Sequence, residues 1–462
     1  MNGTPVENHF SSAFGASGIV LLLILVAASS FFVPLLVTAA AFFAVGWVWV
    51  IFRYPIGVLG ALLAFMPVDY MVIEIGKFFD LPYMTLVSGF TKEVPLLLLL
   101  FILWRRNGFK PVAADWFLLA LFTISAVRTV FDGTLVNWVT DFQFVLPYFV
   151  GRVTVLTAEQ QSRWATRAVW IIAVLAILGM SEVFIFGEGP RTALYLATDS
   201  VTENGTLTAA FGGVGMVSMR EASTMVGPAY FGALCMIALV LWWVYLRNPV
   251  PAGMLAAGLI CSVTRSAWIG TAVAITFLAF AMKQWRRLGL YAALGLGLLV
   301  ASIPILGLSD YLYYSKTGQD SSAQLHQASI MTGVELMGEN PLGTGNRTVG
   351  ARVADENSNA AWVETTYLAF GAEYGIAAAI CFLGFYLSAM WRAWRNQSQL
   401  GYATVAIMAG LGVMMLVLLM HMDRRFTCWV FFPIGLAVRA APQAVKSWWH
   451  VRVVTADAGR LG

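Results

Sequence analysis

The stretch PAGMLAAGLICSVTRSAWIGTAVAITFLAFAM, residues 251–282, carries a single charge, Arg265, between two apolar runs. The run before it, 251–264, would extend about 21 Å as an α-helix, short of the roughly 30 Å hydrocarbon core of a bilayer. Two such runs back to back read as membrane helices, with Arg265 sunk below the outer surface in a cavity. A charge at that depth costs about 2.5–3.5 kcal/mol or more. One reading is a guanidinium presented to an anion; the other is a hairpin whose arginine meets lipid phosphates.

The same pattern fills the chain. Hydrophobic residues make up 59% of the sequence and charged residues 11%, where a soluble domain is about a quarter charged. The mean hydropathy of +0.76 agrees. The expected fold is therefore all-α: a polytopic membrane protein of about 12–14 transmembrane helices, with residues 1–462 forming one integral membrane domain. Spans are expected near 18–33, 34–52, 55–68, 91–104, 114–131, 137–151, 164–187, 222–246, 251–264, 266–282, 287–308, 361–391, 400–420 and 426–441. The formal charge of +4 gives no reason to expect nucleic acid. Cys235, Cys261, Cys381 and Cys428 fall in or beside apolar runs and read as packing residues, and no metal-ligand spacing is present.

Arg105, Arg106 and Lys110 share one short connection; Arg152, Arg163 and Arg167, then Lys283, Arg286 and Arg287, then Arg392 and Arg395 occupy others. These basic connections alternate with acidic or long ones, which places them on the cytoplasmic side. Segments 188–221 and 309–360 then form external loops. Within the second, Leu325, Ala328, Met331, Val334 and Met337 recur at helical spacing over 322–338, the pattern of an amphipathic helix lying on the membrane or lidding a cavity. His326 is near its start.

Candidate functional residues gather on that outer face. Arg220 precedes a span, where helix N-termini favour anions. Glu364 stands at the outer mouth of the span 361–391, free to act as a base. Glu373 lies about 18 Å along that span and must be paired or line a wet cavity. Arg347 and Arg352 in the loop, and Arg424 and Arg425 at the start of the last span, are further cations that could serve substrate binding or anchor the interface.

Four motifs in these places carry a family resemblance. Thr264-Arg265-Ser266-Ala267-Trp268-Ile269-Gly270 resembles the SRSA-x-LG motif of the O-antigen ligase and O-antigen polymerase superfamily. Asn340-Pro341-Leu342-Gly343-Thr344-Gly345 is similar to its loop motif hPL-x-G-x-G. Glu364-Thr365-Thr366-Tyr367-Leu368 and Ala372-Glu373-Tyr374-Gly375 resemble HN-x-YL…aE-x-G, and Arg220 with Gly227-Pro228 falls where members carry R…nP. Together these cover about residues 210–390. The resemblance implies a metal-independent, GT-C-type glycosyltransferase of the bacterial inner membrane, with no cofactor and an active site facing the periplasm. Its donor would be an undecaprenyl-pyrophosphate-linked glycan, and a flippase and a chain-length regulator would be its pathway partners. Arg220, Arg265 and Glu364 would be catalytic; His326, Arg347, Arg352, Glu373, Arg424 and Arg425 would bind substrate. Glu364 stands where the ligases have histidine, Thr365 where they have asparagine, and His326 where many members have arginine. Those departures favour a polymerase over a ligase that loads lipid A-core. A transporter of lipid-linked sugars is a third reading, against which stand the missing repeats and the clustering of polar residues on one face.

A topology reporter fused near Thr332 should read as external and reporters at either terminus as cytoplasmic. A cytoplasmic signal at Thr332 would overturn the placement of the site.

Overall fold

The computed structural model describes residues 46, 48–79, 84–132, 135–186, 227–305, 321–346, 348–349, 361–421 and 423–439. Among these residues the secondary structure is helical apart from one isolated bridge between Val349 and Ala361. The chain is an all-α, multi-pass membrane protein. Among the described residues five helices are long and apolar enough to cross a bilayer, Ala113–Phe131, Ala158–Ile185, Pro228–Tyr245, Trp285–Ile303 and Ile376–Arg395. A sixth crossing arises if Pro55–Val68 and Met71–Phe78, bent by 63° at their junction, form one span. The expected span 18–33 and most of 34–52 lie outside the described residues.

We number the helices α1 (Pro55–Phe65), α2 (Asp69–Phe78), α3 (Met84–Asn107), α4 (Ala113–Asp132), α5 (Leu135–Asp141), α6 (Val145–Val153), α7 (Ala158–Ser181) and α8 (Pro228–Tyr245). After these come α9 (Pro249–Cys261), α10 (Arg265–Ala281), α11 (Trp285–Ile305), α12 (Ser321–Glu339), α13 (Thr366–Tyr374), α14 (Ile376–Arg395), α15 (Gln399–Met414) and α16 (Arg424–Arg439). Helix α8 is apolar on every face and correspondingly buried along most of its length against α7, α9, α10 and α15. Its fixed start is set by Gly227 in extended backbone and Pro228 at the first helical position.

Lipid tails are as apolar as leucine, so membrane helices associate through close van der Waals approach at small residues. Four crossings depend on it. Helices α6 and α16 meet at Gly151 and Gly435, where a Cβ on either would overlap a carbonyl oxygen of the other helix, Phe432 or Tyr148. Helices α10 and α15 meet at Gly270 and Gly410, each facing the other's backbone oxygen. Gly258 of α9 admits Ala176 of α7, and Gly232 of α8 admits Ala267 and Ser262.

The two ends of the bundle differ in chemistry. At one end the Arg152 guanidinium grips Asp115 through two bonds of 2.9 and 2.8 Å and donates to the Lys110 carbonyl at 2.7 Å. Tyr148 Oη donates to the same carboxylate at 2.7 Å, and Arg439 donates to the carbonyls of Arg152 and Asn107. A buried carboxylate satisfied on both oxygens by a planar guanidinium is the arrangement that offsets its desolvation. At the opposite end lie the starts of α8, α10, α13, α14 and α16 and the ends of α4 and α15.

One expectation needs correction. The span 361–391 is not a continuous helix: it begins at Thr366 and breaks at Gly375, whose φ of +94° ends α13 and starts α14. Glu373 therefore sits one residue before the end of a short helix rather than deep inside a long one. The hydropathy of the run gave no sign of the break, because a single glycine in left-handed backbone makes it.

Replacing Gly435 by Ala should lower the thermal midpoint of the detergent-solubilised protein by an amount equivalent to at least about 1–3 kcal/mol, since the added methyl meets backbone. Gly297, with nothing within 4 Å of a built Cβ, should accept Ala without loss. Equal behaviour of the two would contradict the crossing described.

Candidate active site

Helix α12 forms where the amphipathic pattern predicts, and it packs on α13. Its inward face carries His326, Ser329, Gly333 and Met337, spaced three and four apart. Gly333 lets it settle against Leu368 and Val363, and Gly371 of α13 receives the Met337 thioether. Leu325, Ile330, Met331 and Val334 point away from the protein and are exposed. The apolar residues that revealed the helix are thus mostly on its outer face, and the inner face is built of small and polar groups.

Two ties join the inner face of α12 to the strand-like entry into α13. Ser329 Oγ accepts the backbone N–H of Glu364 at 2.7 Å, and His326 Nδ1 pairs with Glu364 Oε2. Beyond Glu364 the two threonines of the motif are structural. Thr365 Oγ1 donates to the Leu416 carbonyl at 2.8 Å and Thr366 Oγ1 to that of Leu418 at 2.7 Å. The Thr366 and Met420 N–H groups complete the clasp, donating to the Met415 carbonyl and Thr366 Oγ1. This clasp fixes the loop between α15 and α16, which Tyr230 Oη also caps at Leu419.

The loop after α12 is pinned by main chain. Thr344 N–H donates to the Ala372 carbonyl at 2.8 Å, Gly345 N–H to that of Glu373 at 3.0 Å, and Ile376 N–H to that of Pro341 at 3.0 Å. Gly343 and Gly375 have φ of +89° and +94°, and each would overlap the other segment's backbone if it carried a Cβ. The two glycine-bearing motifs are therefore two halves of one backbone lock. Arg128 Nη2 donates to the Gly343 carbonyl at 2.9 Å, and Asn346 Nδ2 reaches Thr129 Oγ1 at 3.4 Å. Tyr374 Oη donates to Asp141 at 2.5 Å.

Arg265 is the first residue of α10, half-buried, after Val263 turns the chain with φ of +46°. It shares the end of the bundle that holds Glu364: Met414 packs at Gly270, and the next carbonyl, Met415, accepts from Thr366. Arg425 at the start of α16 is bonded to Asp69 at 3.0 Å and Asp423 at 3.4 Å, and Asp69 also receives Lys92 at 2.5 Å. That cluster ties α2, α3 and α16 together and gives Arg425 structural partners. Arg424 begins the same helix. Glu373 is buried. Arg220, Arg347 and Arg352 lie outside the described residues.

His421 is sealed beneath Phe370, ring centroids 4.5 Å apart, and burial pushes its imidazole down to about 3, so it stays neutral. Sequence reading passed over Arg128, Ser329 and Asp141. Nothing in the sequence ties Arg128 to Gly343, more than two hundred positions away. Among the described residues no group of three or more His, Cys, Asp or Glu is placed to hold a metal.

Gly343→Ala forces a side chain into left-handed backbone, at about 1–2 kcal/mol, and onto the Glu373 carbonyl. It should cost at least about tenfold in activity and raise protease sensitivity near 343. Gly338→Ala, with open space around it, should do neither, and full activity in Gly343→Ala would show that the lock is dispensable.

A family model described as O-antigen ligase matches residues 250–383. No curated protein matched the chain. The matched segment contains Arg265, His326, Arg347, Arg352, Glu364 and Glu373 together with both halves of the backbone lock; Arg220, Arg424 and Arg425 fall outside it. The likeness to the O-antigen ligase family thus covers residues 250–383 of the 462 and takes in the starts of α10 and α13 and the whole of α12.

Proposed function

We propose that the protein is a polymerase of a bacterial cell-surface polysaccharide. It takes a glycan from an undecaprenyl pyrophosphate carrier and joins it to an acceptor sugar at the outer face of the inner membrane. Segments 188–221 and 309–360 face the periplasm in this reading, residues 1–462 act as one integral membrane domain, and no metal is required. A flippase that delivers the donor and a chain-length regulator are the expected partners.

The observation that carries the reading is the arrangement within the matched segment. A cation, Arg265, begins α10 at the same end of the bundle at which α12 and α13 bring an imidazole and a carboxylate together. Glycosyl transfer from a pyrophosphate needs both halves. Negative charge grows on the leaving group and is stabilised by donors already in place, and the attacking hydroxyl must lose a proton. Arg265 supplies the first, and Arg220, by the resemblance, would join it; His326 and Glu364 stand for the second. Arg347, Arg352 and Arg424 would contact the glycan or carrier, and Glu373 would brace the acceptor side from beneath. Arg425, given its bonds to Asp69 and Asp423, would hold the rim rather than the substrate. The carboxylate at 364, where ligases have histidine, favours the polymerase. Nothing in the geometry favours transport.

Purified protein incubated with an undecaprenyl-pyrophosphate-linked repeat unit should produce a ladder of lengthening products. Transfer of a single pre-formed chain to lipid A-core would replace polymerase by ligase, and no transfer with either acceptor would end the reading. Arg265→Lys should lose about 10²–10³ in rate, because an ammonium lacks the planar fork that grips two phosphate oxygens. A fully active Arg265→Lys protein would remove Arg265 from the leaving-group site.

A further inference from the structure

We propose that His326 and Glu364 act as one unit in which Glu364 holds the Nδ1–H of His326 and Nε2 of the same ring takes the proton of the acceptor hydroxyl. The proposal rests on the transfer reaction inferred above and assigns its acid–base chemistry to two residues from different helices.

The pairing is specific in its atoms. Nδ1 of His326, and not Nε2, lies against Glu364 Oε2; both atoms are buried and neither has another hydrogen-bond partner among the described residues, so each is the group left to satisfy the other. A carboxylate at Nδ1 keeps the proton there and leaves the lone pair on Nε2. Among the described residues nothing is bonded to Nε2. The ring is also held in register by a second contact: Ser329, one turn further along α12, receives the Glu364 N–H at 2.7 Å. Two ties spaced three residues apart fix both the height and the rotation of α12 against Glu364, so the imidazole is positioned by backbone as well as by its own contact with the carboxylate.

Exposure separates this histidine from the other described one. The His326 and Glu364 side chains are 28% and 21% exposed, while His421 is 1% exposed. A proton acceptor for a sugar hydroxyl has to be reached by that hydroxyl; His421 cannot be, and His326 can. The Glu364 carboxylate is already engaged by an imidazole, so its part is to position the ring rather than to meet the sugar.

The step balances without any further reactant. The O–H bond of the acceptor breaks and its proton passes to Nε2. The freed oxygen forms the new bond to the anomeric carbon, and the bond from that carbon to the pyrophosphate oxygen breaks, its electron pair leaving with the pyrophosphate. Glu364 remains a carboxylate beside the transient imidazolium, which returns its proton to water. His326 is thus catalytic and Glu364 a positioning residue.

The test uses the full-length protein in lipid nanodiscs with the lipid-linked repeat unit, comparing wild type, His326→Ala, Glu364→Gln and the double variant. His326→Ala should lower kcat by about 10²–10⁴-fold with the acceptor KM within about threefold of wild type. Glu364→Gln should lower kcat by a smaller factor, again with KM held, and the double variant should be no slower than His326→Ala within about threefold, as for groups acting as a unit. Should His326→Ala fail to fold, His326→Gln is read in the same way. A wild-type rate in the His326 variant, or losses that multiply in the double variant while wild type is active, overturns the pairing alone. A wild-type protein that transfers nothing from this donor overturns the reaction reading and the pairing with it.

Discussion

Backbone pressed directly against backbone is the constraint on which the rest of the structure depends. In a bilayer the hydrophobic effect does not draw helices together, so close approach must come from residues without bulk. The α6–α16 crossing at Gly151 and Gly435 and the α10–α15 crossing at Gly270 and Gly410 leave no room for a methyl group. The same device recurs outside the helices, where Gly343 and Gly375 let the loop after α12 lie on the junction of α13 and α14. Because these contacts are made by main chain, they fix relative positions more stiffly than side-chain packing would.

That stiffness sets the site. Arg265 is placed by the α10–α15 crossing, and Glu364 by the threonine clasp on the loop beyond α15. His326 is placed by the seating of α12 on α13, to which Gly333 and Gly371 both contribute. The charged groups are therefore carried on segments that share α15 as a common reference. At the other end, the Asp115–Arg152–Tyr148 cluster bonds the start of α4 to the end of α6, a buried ionic fastening remote from the proposed site.

Much of this was legible in the sequence. Composition and run length gave an all-α membrane protein, and the spacing of Leu325, Met331 and Val334 located α12 to within one or two residues. The motifs around Arg265, Gly343 and Glu373 pointed to the segment that the family model matches. What could not be read were facts of three dimensions. The break at Gly375 hides in a uniformly apolar run. The pairing of His326 with Glu364 spans thirty-eight positions, and nothing in the sequence joins the two. Arg425 carried the charge of a ligand-binding residue, yet Asp69 and Asp423 meet it.

The Gly343–Gly375 lock separates what must stay from what can change. Its halves are recognisable by glycine, a residue with no chemistry of its own, because their task is to hold two peptide planes in contact. A scaffold of that kind tolerates exchange of the reactive groups mounted on it, provided a replacement reaches the same spot from a neighbouring mount. In this chain a carboxylate stands where the resembling ligases carry an imidazole, and an imidazole arrives from the adjoining helix to meet it. In this chain the shape of the mount is thus set by residues that carry no charge, and the charge by residues that do not shape the mount.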